Sequence, residues 1–445
     1  MLKDQQADTE AVQLPKEFVD RLAHPFVYFF HIEAAGAAIL LLSTVAALGL
    51  SNSPWAESFE HVWETQVGLQ LGSLEFSRSL REWINDGLMT LFFFLVALEL
   101  KREFVLGELK KPRMAALSVA AAIGGMIVPA AIYLALQTGH PGQHGWGTVM
   151  ATDTAFVIGC MALLGSRIPR SLRVFMLSLA IVDDIGAVLV VAIGYYSSDI
   201  VWWPFTAVVF GLAIVGAMAK FGFRGFPLYI LVGGLIWLAV DASGIHATVT
   251  GVILGLMTPA RRWVSDERLY AILGQVIAHP TSDESSADTK DRQTLQVAEI
   301  AARETLSPVE RLEIALHPWV SFVIMPLFAF ANAGVPLALS NLGSSVTVAV
   351  FCGFVLGKPV GVLLFSWLAV RSRIAIRPPD LSWWLLAGGS LLAGIGFTMA
   401  LFIANIAFNE SQIDSAKLGI FLASIFSAVA GLAVLMWTPS RGITP

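Results

Sequence analysis

Charge is what this 445-residue chain has least of. Asp, Glu, Lys and Arg make up 14% of it, where a soluble domain carries about 25%. None of these residues occurs from Met114 to Thr152, from Ile314 to Gly357, or from Leu381 to Asn409. Apolar runs of that length hold membrane spans, often two per run, and the mean hydropathy is +0.71. A soluble enzyme and a nucleic-acid binder are therefore excluded. Cysteine is scarce as well: Cys160 and Cys352 both lie inside apolar runs with neither CxxC spacing nor a His/Cys partner. That rules out a disulfide scaffold and suggests no metal centre. No cofactor is implied, and the absence of a nucleotide-binding glycine loop removes support for ATP-driven transport. The first 25 residues are polar and mixed in charge, without the blocks of a signal peptide, and read as a cytoplasmic tail.

Apolar runs between charge and turn clusters give twelve expected spans, near 29–50, 84–105, 114–136, 145–165, 171–196, 203–221, 225–240, 244–260, 314–337, 346–370, 383–406 and 417–437. The two runs at 225–240 and 244–260 are short and close enough to form one hairpin. With an even number of spans both termini share a side. That side collects 24 of the 28 Lys and Arg residues; Arg78, Arg81 and Lys417 fall opposite, and Lys358 lies inside a span. The asymmetry puts the 1–25 and 441–445 tails in the cytoplasm. Trp202, Trp203, Trp383, Trp384 and Trp437 fall at span ends, as an interfacial aromatic belt requires. The membrane domain runs over 26–440, with an outer loop at 51–80 and a cytoplasmic loop at 263–312. In the outer loop, residues 67–77 alternate apolar and polar around Gly72-Ser73, the pattern of a β-hairpin. Its exposed edge either pairs with a second protomer or serves as a simple cap. The cytoplasmic stretch 278–308 is polar, with a flexible first half and a short surface helix in its second half.

Four charges remain at depth: Asp153, Asp183, Asp184 and Lys358. A charge at the centre of a span costs ~2.5–3.5 kcal/mol on insertion scales, so those that persist are functional candidates. Asp153 precedes Arg167 by 14 residues, Asp183 follows Arg170 by 13, and Lys358 precedes Arg371 by 13. At the helical rise each lies about 20 Å from its basic anchor, near the midplane of a ~30 Å core. Two spans also carry signs of interruption there. Gly145–Thr154 is weak in helix formers, and 383–406 carries Gly388, Gly389, Gly394 and Gly396. Interrupted helices expose backbone amides and carbonyls to a polar cavity. Asp183 and Asp184 project about 100° apart on a helix, so one can meet Lys358 while the other faces the cavity. A carboxylate shielded from water binds either a proton or a hard cation such as Na+ or Li+, and competition for one site is the minimal chemistry of cation/proton exchange. Two other classes need different arrangements. An intramembrane aspartyl protease places its carboxylates on two facing helices, and a channel needs a continuous pore. A sodium-coupled solute symporter is the nearest rival.

The residues resemble those of the bacterial NhaA-type sodium/proton antiporters over about 25–440. The resemblance rests on Phe92–Glu103, Ala151–Phe156, Leu179–Ala187, Ser243–Thr248, His317-Pro-Trp, Pro326–Gly334, Gly357-Lys-Pro359 and Gly394–Thr398. It implies an all-α inner-membrane protein of twelve transmembrane helices with inverted-topology repeats and two interrupted helices crossing near the midplane. It further implies export of Na+ or Li+ against two entering protons, serving sodium and pH homeostasis. Asp184 would be the principal cation and proton carboxylate and Asp183 the partner of Lys358 when no cation is bound; both aspartates would hold the transported Na+. Asp153 and Thr152 would shape the site and balance the facing helix ends. Glu99, Arg102, Glu103, His246 and Glu313 resemble a pH-responsive cluster on the cytoplasmic side. Thr154 departs from an expected aliphatic residue, Glu310 from an expected basic one, and the cytoplasmic loop is long.

Overall fold

Two capping boxes decide where two of the long helices begin. Ser79 and Glu82 cap each other's backbone at one helix start, and Ser307 and Glu310 do so at another, with Pro308 in the first turn. The computed structural model describes residues 33–71, 74–105, 107, 112–195, 201–223, 225–278, 289–336 and 339–438. The two tails, the Gly72-Ser73 turn and residues 279–288 of the cytoplasmic stretch lie outside the described residues. In chain order the elements are α1 (Glu33–Ser51), α2 (Ala56–Glu64), β1 (Gln66–Leu71), β2 (Leu74–Ser79), α3 (Leu80–Val105) and α4 (Pro112–Gln137). A 3₁₀ half-helix (Pro141–Val149) then leads to α5 (Thr154–Leu164), α6 (Arg170–Gly194), α7 (Trp202–Lys220), α8 (Phe226–Ala242) and α9 (Val249–Met257). After these come α10 (Asp266–Ala278), α11 (Thr289–Glu304), α12 (Pro308–Asn332), α13 (Ser345–Arg371), α14 (Trp383–Leu392), α15 (Phe397–Ala407) and α16 (Glu410–Trp437).

Helices fall in all twelve expected stretches, but fewer are long enough to cross a bilayer. Among the described residues seven helices qualify by length and hydropathy: α3, α4, α6, α7, α12, α13 and α16. Three bent pairs raise the number to at most ten. In one of them α1 turns by 116° into α2, which is a corner and not a continued span. α8 is shorter, and α9 is nine residues long because its expected first turn, around Gly244–Thr248, is irregular. α12 starts six residues before its expected position, at the capping box, so Glu313 belongs to a span and not to a loop. Leu42, Phe210, Ile230, Leu231, Ile425 and Val429 stand exposed along helix faces, the signature of surfaces solvated by lipid. Trp202, Trp203, Trp384 and Trp437 are exposed at helix ends. The structure is that of a multi-pass, predominantly helical membrane protein.

β1 and β2 pair antiparallel from Gln66 opposite Ser79 to Leu71 opposite Leu74. Trp83 fastens the hairpin to α3 by donating to the Val67 carbonyl at 2.9 Å. The expected surface helix of the long loop is α11, and α10 adds a second helix before it.

The crossing of α4 and α13 positions the centre of the molecule. A Cβ on Gly124 would collide with the Gly361 carbonyl oxygen, and one on Gly361 with that of Gly124. Only glycine at both positions lets the two backbones approach so closely, as at small-residue contacts in membranes generally. One turn before Gly361, α13 contains a π-turn, Gly353–Gly357, closed by the Lys358 amide donating to Gly353 O. α12 has the same feature at Val320–Ile324, closed by Met325 onto Val320 O. In both cases the next residue is proline, Pro359 or Pro326, which lacks the amide that an α-turn would use there.

Candidate ion site at the crossing of two broken helices

Pro141–Val149 and α5 meet at a 46° bend, and α14 and α15 at 48°. The two breaks are stitched together. The Asp153 amide donates to Ile395 O at 2.7 Å, and the Thr152 hydroxyl donates to Ala393 O at 2.9 Å. Residues 151–153 are extended because Asp153 is the N-cap of α5, its Oδ1 accepting from Phe156 N at 3.2 Å. Its other oxygen crosses to the second break, accepting from Thr398 N at 2.9 Å and from the Thr398 hydroxyl. One carboxylate thus serves two helix N-termini, α5 and α15, where positive dipole ends favour negative charge.

Lys358 performs the complementary task. Fully buried, its ammonium donates to the Met150 carbonyl, to Thr152 Oγ1 at 2.9 Å and to Asp183 Oδ2. These three acceptors use all three of its protons. Met150 is the C-cap of the Pro141–Val149 half-helix, so the lysine neutralises an end of negative dipole as well as a carboxylate. Asp183, also fully buried, forms the ion pair with Lys358.

Asp184 is different. It is 3% exposed, its Oδ1 has no hydrogen-bond partner, and its Oδ2 receives one long bond, 3.4 Å, from the Thr154 hydroxyl. Neighbouring charges on Asp183, Asp153 and Glu99 are near enough to repel its negative charge. A carboxylate so placed is open to a proton or a cation, because none of the described residues completes its hydrogen bonds.

The expected site residues therefore separate into three places. Asp153, Thr152, Asp183, Asp184 and Lys358 come together at the crossing. Glu99, Arg102, Glu103 and Glu313 form a second group at the end of α3 away from the hairpin. There Arg102 pairs with Glu313 and, at 3.2 Å, with Glu103, and Glu99 is within electrostatic reach of both this group and Asp184. His246 does not join them. It lies at the hairpin end, within electrostatic reach of Asp86, which precedes Glu99 by 13 residues on α3. About 20 Å of helix separates the two ends. Arg78 dominates the hairpin end, bridging Asp86 and Asp241 and stacking over Trp237 at 5.8 Å. Glu310, acidic where a base was expected, closes the α12 capping box and sits 3.5 Å from Arg262.

Sequence reasoning missed Thr398 and the Met150, Ala393 and Ile395 carbonyls as parts of the site. Thr398 was legible in principle: it is the hydroxyl residue just past the glycine-rich break, at the start of α15. The carbonyls carry no side-chain signal.

The family of Na+/H+ antiporter 1 matches the chain over residues 27–435. Similar full-length proteins include the Na(+)/H(+) antiporter NhaA 3 of Acidiphilium cryptum, 60% identical over 445 residues, covering 100% of this chain and 97% of that one. The NhaA of Rhizobium meliloti is 59% identical over 96% of this chain and 98% of its own. That of Rhodopirellula baltica is 50% identical over 96% of each. With the family matched across nearly the whole chain, and with relatives at this identity over their full length, this chain belongs to the NhaA-type Na+/H+ antiporters.

Proposed function

We propose that the chain is a secondary antiporter that moves Na+ or Li+ out of a bacterial cell across the inner membrane in exchange for entering protons. The observation that carries this reading is Asp184, a buried carboxylate beside two broken helices whose partners are incomplete while its neighbour Asp183 is held by Lys358. The chain is a transporter and not an enzyme, in keeping with its family. A protease reading lacks its geometry, since Asp183 and Asp184 are neighbours on α6 and Asp183 is ion-paired. The relatives' names give no support to solute symport.

Twelve spans follow if α1, α8, the α9 region and the two broken pairs at the crossing each cross or nearly cross the bilayer. The order long helix, broken helix, long helix occurs twice: α4 to α6 and α13 to α16. The basic residues put the start of α4 and the end of α13 in the cytoplasm, so the two triples run in opposite senses, an inverted-topology repeat. Both termini are then cytoplasmic, the hairpin end is outer, and the Glu99–Glu313 group is inner. The unpaired edges of β1 and β2 offer a surface for a second protomer.

The cycle uses the chain's own residues as follows. With the inner side open, Na+ displaces the proton of Asp184. Asp183 turns from Lys358 to add a second oxygen, and Lys358, deprived of its counter-charge, gives up the second proton and stays on Met150 O and Thr152 as a neutral amine. The loaded site then opens outward as one repeat bundle moves against the other. Protons replace Na+ there, and the return completes exchange. Two protons per sodium carry net positive charge inward, so an inside-negative potential drives the cycle at ~2.3 kcal/mol per charge per 100 mV. The inner Arg102 group responds to cytoplasmic pH. In vesicles with an acid lumen and an internal pH dye, external NaCl raises the luminal pH, more strongly at higher pH, and KCl does not. Absence of any sodium-dependent proton movement across that range overturns the reading.

A further inference from the structure

We propose that Thr154 supplies an oxygen ligand to the transported cation and so sets the affinity of the Asp184 site for Na+. The proposal rests on the antiporter reading above and deepens it. Thr154 is the first residue of α5, directly after Asp153, and its hydroxyl reaches across to α6 at 3.4 Å from Asp184 Oδ2. Besides the α6 aspartates, residues 152–154 at the first break all carry side-chain oxygens, and two of the three are already engaged. Thr152 Oγ1 accepts from Lys358 and donates to Ala393 O. Asp153 accepts from Phe156 N, Thr398 N and the Thr398 hydroxyl. Committing either one to a cation would strip hydrogen bonds from the helix ends.

Thr154 is under no such obligation. Its hydroxyl makes only the bond to Asp184 among the described residues, and the residue is half-buried, so its lone pairs are free. A hydroxyl rotates to suit its partner. Facing an unoccupied carboxylate it donates its hydrogen; facing a cation on that carboxylate it swings the hydrogen away and presents a lone pair. Small hard cations take several oxygen ligands, and the carboxylates of Asp184 and Asp183 beside apolar spans do not supply enough alone. An aliphatic residue at this position would leave the cation one ligand short.

The test compares Thr154→Val, which keeps the β-branched shape without the oxygen, with Thr154→Ser, which keeps the oxygen without the methyl. Thr154→Ala serves as the second hydroxyl-less variant if the valine protein does not fold, as judged by elution and melting temperature. Two readouts are taken at one fixed pH on the full chain: calorimetric titration of the purified protein with NaCl, and sodium-dependent proton movement in vesicles. The hydroxyl-less variant is expected to need about tenfold more Na+ for half-saturation in both, at a nearly unchanged maximal rate, and Thr154→Ser to remain within about twofold of the parent. An unchanged half-saturation in the hydroxyl-less variant overturns the proposal. So does a serine variant as weak as valine, which would assign the effect to shape. A parent protein that binds Na+ without moving protons overturns the antiporter reading alone, because the calorimetric comparison still decides Thr154. A parent that does neither overturns both.

Discussion

The two ends of α3 and the crossing of the two broken helices solve the same electrostatic problem differently. At the hairpin end one guanidinium, Arg78, faces two carboxylates, Asp86 and Asp241; at the other end Arg102 faces Glu103 and Glu313. At the crossing one ammonium faces Asp183 while Asp184 is left over and Asp153 is committed to helix ends. Negative groups outnumber positive ones in all three places. At the ends the pairs are partly exposed, so their surroundings can screen the excess. At the crossing there is no such exposure, and the surplus can be met only by something that arrives. A deficit that is harmless at a surface becomes a binding site when it is buried.

Substitutions that alter the surplus or its partner should separate the two kinds of place, and the largest effect belongs to the surplus itself. Asp184→Asn removes the charge at nearly constant volume, so sodium-dependent proton movement in vesicles should fall to background while the protein elutes and melts like the parent. Exchange retained in that variant would show that the surplus is not the carrier. Next comes the partner. Lys358→Met strands Asp183 and the Met150 carbonyl in an apolar interior, with an expected loss of ~3–5 kcal/mol in unfolding free energy. Adding Asp183→Asn should recover most of that loss, and a double variant no more stable than the single would mean the ion pair is not what the lysine supports.

A smaller effect is expected for Asp153→Asn, which can still cap α5 but brings no charge to the two N-termini; about 1 kcal/mol of thermal stability should be lost. The least costly changes are at the ends. Arg78→Gln and Arg102→Gln should each change stability by about 1 kcal/mol or less, as partly exposed pairs do. Between them a functional contrast should remain: the pH profile of exchange moves with Arg102, which connects through Glu99 to Asp184, and stays with Arg78. Equal pH shifts in both would dissolve the distinction between the ends.

Much of the site was legible because ionisable residues in apolar runs are rare. Counting from Arg167, Arg170 and Arg371 brought Asp153, Asp183 and Lys358 to one level before any coordinates. Helical geometry alone turns the neighbouring aspartates toward different groups, and in the structure Asp183 meets Lys358 while Asp184 meets Thr154. What escaped has physical reasons. His246 belongs to a motif that resembles the family's, but resemblance says nothing about which end of α3 a residue lies beside, and the irregular turn before α9 carries it toward Asp86. The start of α12 was hidden because Ser307-Pro-Val-Glu310 sits in a charged stretch, where a capping box looks like more loop. Span counting ran ahead of the structure at α9 and at the broken pairs, since hydropathy sums over a half-helix, a turn and another half-helix as though they were one rod.

The π-turn of α13 has a consequence for phase. Residues 345–352 pack mainly on α16, and residues 358–371 pack on α4. A π-turn carries one residue more than the α-turn it replaces, and each residue of α-helix turns by about 100°. Gly353–Gly357 therefore works as an angular offset between two halves of one span, letting each half show a different neighbour its matching face. Were the segment wound as plain α-helix, either the face toward α16 would rotate into lipid or Lys358 would swing away from Asp183. Pro359 holds the offset in place, because the amide that would let the helix rewind is missing. In this helix the arithmetic of the chain, and not the chemistry of any one side chain, aims the ammonium.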